Sequence, residues 1–151
     1  MQKQIQFVRF LSFSPRKYPV SLACWAMIFF LSFMNVPETP MGDIPFIDKW
    51  THIVMYGFTG IVIWVEYLIN HTKVDMKKMA IMAIAAPIVT SGIIELLQEY
   101  CTGGCRSGDW LDLAANSLGV ALAAIIGFVY SYNRGKIKVS PNTFLTPLST
   151  L

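Results

Sequence analysis

Four apolar runs divide this chain, and they constrain it more than any motif. They extend from about Tyr18 to Val36, Trp50 to Ile69, Met79 to Leu97 and Trp110 to Tyr132. Each holds roughly 19 to 23 residues, and a helix rising about 1.5 Å per residue needs about 20 to cross a hydrocarbon layer. Their ends are punctuated by Pro15, by Pro37 and Pro40, by Asn70, by Gly103 and Gly104, and by Asn133 and Gly135. A soluble domain has about a quarter of its residues charged, whereas only 14% are charged here and 54% are hydrophobic. A small globule cannot hide that much apolar surface, and helices satisfy their own backbone in lipid. The expected fold class is therefore all-α: a compact four-helix transmembrane bundle forming one domain over residues 1–151.

The basic residues set the orientation. Lys3, Arg9, Arg16 and Lys17 precede the first run, Lys73, Lys77 and Lys78 separate the second from the third, and Arg134, Lys136 and Lys138 follow the fourth. Only Lys49 and Arg106, of twelve Lys and Arg in all, fall at the opposite ends, beside Glu38, Asp43, Asp48, Glu95, Glu99, Asp109 and Asp112. The positive-inside bias then predicts that both termini are cytoplasmic. The first run is longer than a secretory signal core and ends in Met34-Asn35-Val36-Pro37 without a small-residue cleavage pattern, so it reads as a retained helix. Glu66 and His71, near the cytoplasmic end of the second run, are expected to reach toward the interface. Trp110 at the outer interface, and Tyr130 and Tyr132 at the cytoplasmic one, are expected to act as anchors.

The polar residues inside the runs are not scattered. Asp48, His52 and Tyr56 are spaced i, i+4, i+8; Ser91, Glu95 and Gln98 are spaced i, i+4, i+7; Asp109, Asp112 and Asn116 are spaced i, i+3, i+7. Each set forms one stripe on one helix face, starting at the outer end. Facing such stripes to lipid is costly, which predicts that they turn inward. Gly57, Gly60, Gly92, Ala114, Ala115, Gly119, Ala123 and Ala124 allow close helix approach in the same bundle. Pro87 removes a backbone donor in mid-span and predicts a kink.

The order Asp48-Lys49-x-x-His52-x-x-x-Tyr56, Glu95-x-x-Gln98, Arg106-x-x-Asp109-x-x-Asp112-x-x-x-Asn116-x-x-Gly119 resembles the VanZ-like family of bacterial integral membrane proteins, over about residues 44–130. The chain departs from that family at Ile94, where an acidic residue often precedes the Glu. The resemblance implies the bacterial cytoplasmic membrane and an envelope setting, that of glycopeptide (teicoplanin) resistance.

The candidate ligand-binding residues are Asp48, Lys49, His52, Tyr56, Glu95, Gln98, Arg106, Asp109, Asp112 and Asn116. Arg106 offers planar, bidentate hydrogen bonding to a phosphate or carboxylate. The alternative is that it pairs with Asp109, Asp112 or Glu95 and staples the loop. Glu95 and His52 are weak candidates for proton transfer, but no Ser, Cys or Thr stands at nucleophile spacing, so no catalytic residue is assigned. Asp48, His52, Glu95, Asp109 and Asp112 match no standard metal motif, and neither metal nor cofactor is expected. Cys101 and Cys105 flank a three-residue turn, where a disulfide and two free thiols are both open. The implied partners are membrane lipids, a phosphorylated polyprenyl lipid or a cell-wall precursor, with no nucleic acid. An enzyme acting on a lipid-linked phosphate, or a subunit that holds a protein partner, is the alternative.

Overall fold

The computed structural model describes residues 14–34, 46–103 and 107–135. Their regular structure is entirely helical: α1 (Pro19–Phe33), α2 (Ile47–Asn70), α3 (Met76–Cys101) and α4 (Trp110–Asn133), with a 3-10 turn over Pro15–Lys17 leading into α1. Three of these, of 24, 26 and 24 residues, are long and apolar enough to cross a membrane. The expected first span is shorter than its sequence suggests. Pro19 opens α1 and Met34 leaves it with extended backbone, so 15 residues are helical, about 22 Å against a core of about 30 Å. Val36 lies outside the described residues.

α2 and α4 form the central pair, α3 packs on α4, and α1 lies against α2 and α3. Small residues explain the central contact. A Cβ on Gly119 would strike the Ile53 carbonyl and come within 2.9 Å of the Gly57 nitrogen, and one on Gly60 would sit 2.6 Å from the Ala123 Cβ. Backbones can therefore meet, as membrane helices require when no hydrophobic force separates them from lipid. Further along, the Trp64 indole lies on Gly127. Ala114 is exposed, and Gly92 only approaches Leu113.

The core has two apolar parts. Tyr18, Ile63, Trp64, Tyr67, Met79 and Ala83 pack at one end, and Ile28, Tyr56, Ile94 and Val120 pack toward the other. Ile94, where the resemblance breaks, is thus a core residue at 3% exposure. α3 is irregular just ahead of its proline. Ile81–Ala85 form a π turn, in which the Ala86 amide donates to the Ile81 carbonyl, five residues back. Pro87 cannot donate, and its ring would crowd the Ala83 carbonyl; the wider turn relieves both.

Glu66 does not reach toward the interface as expected; it is buried. Its carboxylate accepts from the Val20 amide at 2.8 Å, the Ser21 amide at 2.9 Å and the Ser21 hydroxyl at 2.5 Å. These amides are among the orphan donors of the α1 N-terminus, where the helix dipole also favours a negative charge. Asn70 adds a donor to the Lys17 carbonyl at 2.8 Å. Two polar residues of α2 therefore seat the start of α1.

Candidate functional site

The three polar stripes do meet, at the end of the bundle where α2 and α4 begin and α3 finishes. Tyr56, Ser91, Glu95, Gln98 and Asn116 are all buried. The centre of the ionic part is Lys49. Its ammonium contacts Asp48 at 3.2 Å, Asp109 at 2.5 Å and Asp112. One lysine from α2 thus joins two acids at the start of α4. Asp109 serves twice, because its other oxygen accepts from the Leu111 amide at 2.8 Å and caps α4. The Lys49 ammonium and that amide hold the Asp109 carboxyl below the ordinary carboxylate range.

His52 stands one turn above Asp48. Asn116 donates through Nδ2 to the Ser91 hydroxyl at 2.6 Å, which turns its Oδ1 to His52 Nδ1 at 2.9 Å. The proton of a neutral His52 then belongs on Nδ1, and Nε2 faces Asp112 at 3.4 Å and Asp48 at 3.7 Å. Donor atoms of Asp48, His52 and Asp112 lie within 4.8 Å of one another, a grouping that could hold a metal ion. The Lys49 ammonium already supplies positive charge to both of those carboxylates.

Other candidates serve the scaffold. Glu95 accepts from the Asp109 amide at 2.9 Å, and Glu99, one turn further on, accepts from the Gly108 amide at 3.0 Å. A Cβ on Gly108 would collide with the Glu95 carbonyl, so the loop lies directly on α3. Gln98 points away from the ions and donates to the Ser32 carbonyl at 2.7 Å, holding the last turn of α1. Tyr56 packs edge-on against Trp25, with ring centroids 6.2 Å apart, and its hydroxyl bonds Ser91.

Sequence reasoning gave Glu99 no role, placed Glu66 at the interface and took Asn70 only as the end of a helix. Glu99 carried one signal, its i+4 spacing from Glu95; the other two depend on which helix lies opposite. Arg106 and Cys105 lie outside the described residues. Cys101 is exposed with a free thiol at the end of α3. Compared with family models, characterised proteins and solved structures, the chain matches none.

Proposed function

We propose that the chain is a small multi-pass protein of the bacterial cytoplasmic membrane, VanZ-like, with both termini cytoplasmic. Its outer polar cluster binds the headgroup of an envelope lipid or of a cell-wall precursor. One observation carries this reading: buried polar side chains from three apolar helices converge at the end of the bundle opposite the basic residues Lys17, Lys73, Lys77, Lys78 and Arg134. Trp50, Tyr100 and Trp110 are exposed around that end, and Tyr130 and Tyr132 around the other, as interfacial aromatic belts are.

The charge of the cluster refines the ligand. Among the described residues, Asp48, Asp109, Asp112 and Glu95 outnumber Lys49, and Lys49 is held by three of them. A bare phosphate is repelled there. The anionic group is met by Arg106, and the carboxylates suit the hydroxyl or ammonium groups that a headgroup or precursor carries beside it. Binding is favoured over catalysis because Glu95 is engaged by a backbone amide and Ser91 by Asn116.

The test is retention of lipids by the purified protein in native mass spectrometry, with Arg106→Ala beside the wild type. Selective retention of a lipid-linked precursor, or of a lipid whose headgroup carries hydroxyl or ammonium groups beside its phosphate, lost in the variant, is expected. Equal retention of every lipid by both proteins would overturn the headgroup reading. A mass change in the lipid would replace binding with catalysis.

A further inference from the structure

The carboxylates around Lys49 are only half engaged by it. The ammonium contacts Asp48 Oδ2 and Asp112 Oδ1, and each of these acids turns its second oxygen the other way. Asp48 Oδ1 and Asp112 Oδ2 face His52 Nε2, at 3.7 and 3.4 Å. No hydrogen bond from the described residues reaches either oxygen or that nitrogen.

The imidazole is held in this direction from behind. Asn116 is buried; its Nδ2 goes to Ser91, which leaves Oδ1 for His52 Nδ1. The proton of the neutral ring then sits on Nδ1, and Nε2 carries a lone pair. Three acceptor atoms, two of them charged, point at one another with no donor between them. A cation is what such a set lacks, and anchoring through the second ring nitrogen is how ligating imidazoles are oriented.

Geometry and charge both fit a divalent ion. Bonds of about 2.1 Å to a tetrahedral ion set its donors about 3.4 Å apart. The three atoms here lie within 4.8 Å of one another, and the exposed Asp48 side chain is free to close the remainder. Lys49 does not satisfy the group, because its ammonium also holds Asp109 at 2.5 Å. Three carboxylates sharing one ammonium leave two negative charges, which one divalent cation balances. One nitrogen with two carboxylates suits zinc or manganese, whereas calcium and magnesium prefer oxygen alone. The spacing matched no metal motif because Asp48 and His52 come from α2 and Asp112 from the first turn of α4.

We infer that Asp48, His52 and Asp112 form a site for one divalent transition-metal ion, zinc or manganese, at the acidic end of the bundle. The site goes beyond the headgroup reading and needs neither Arg106 nor a lipid.

The test is isothermal titration of the full chain, purified in detergent without a polyhistidine tag and stripped with a chelator. Zinc, manganese, calcium and magnesium chlorides are added in turn. One zinc or manganese ion per chain should bind, and calcium and magnesium at least about tenfold more weakly. Affinity should fall at least about tenfold in His52→Gln and in Asp48→Asn, and stay unchanged in His71→Ala at the opposite end. Should His52→Gln not fold, Asp48→Asn, at an exposed position, decides alone. Cobalt offered instead should give visible d–d bands without a thiolate charge-transfer band, which separates this site from Cys101. No binding, binding unchanged by the two ligand variants, or a thiolate band would each overturn the inference.

Discussion

Lys49 shows how much one residue can hold. It is the shared cation of Asp48, Asp109 and Asp112, so Lys49→Met leaves three carboxylates facing each other. The cost should be about 1–3 kcal/mol, below that of a fully buried pair because the Asp48 and Asp109 side chains are 62% and 40% exposed. Because Lys49 depresses the Asp109 carboxyl in the folded protein, that part of the stabilisation is complete above the ordinary value of about 3.9 and is lost as pH falls through the lower folded value. Unfolding in detergent, followed from pH 8 down to 3, should therefore show the wild type's advantage over Lys49→Met persisting until about pH 4. Disappearance of the advantage near pH 6 would assign it to another group. Glu66→Ala should cost about 1–2 kcal/mol by orphaning the first amides of α1, read as a lowered unfolding midpoint. The inward turn of Asp112, Asn116 and Glu95 was legible from spacing, since lipid leaves polar stripes one direction to face. The work of Glu66 was not, because a carboxylate on an apolar helix does not reveal which helix end lies opposite it.

Among the elements, the α2–α4 contact is the most exacting. Gly119 has no room for a side chain, and Gly119→Leu should cost about 1–3 kcal/mol or more by forcing the backbones apart. Ala114→Leu, on the exposed face of the same helix, should be nearly silent, and thermal unfolding of the two in parallel checks this. The series Gly57, Gly60, Gly119 and Ala123 was readable as a packing surface. The seating of Trp64 on Gly127 was not, because it depends on the relative rotation of two helices. The length of α1 escaped for a different reason: hydropathy continues past Phe33, but Met34 turns to extended backbone.

At the scale of the whole molecule, charge is divided between two ends. A cysteine placed at Lys73 should react with an impermeant thiol reagent only after the membrane is opened, and one placed at Trp110 should react in intact cells. The reverse pattern would invert the topology. Helix order and the division of basic and acidic residues between two ends were legible in the sequence, because apolar length and the positions of the charges suffice for both. The meeting of His52 with Asp112 was not, since it arises between helices whose facing turns no periodicity encodes. One irregularity ties these ends together. Met79, Ala83, Pro87, Ser91 and Glu95 are all buried at a stride of four, although a regular helix drifts about 40° per such step and about 160° over the series. The π turn takes up one extra residue, about 100° of rotation, and so keeps the apolar beginning and the polar finish of α3 turned to the same neighbours. The helix is in effect one residue longer than its path. Removing Ala85 together with Pro87→Ala should therefore be tolerated, while removing Ile93 should swing Glu95 and Gln98 out of register with their partners.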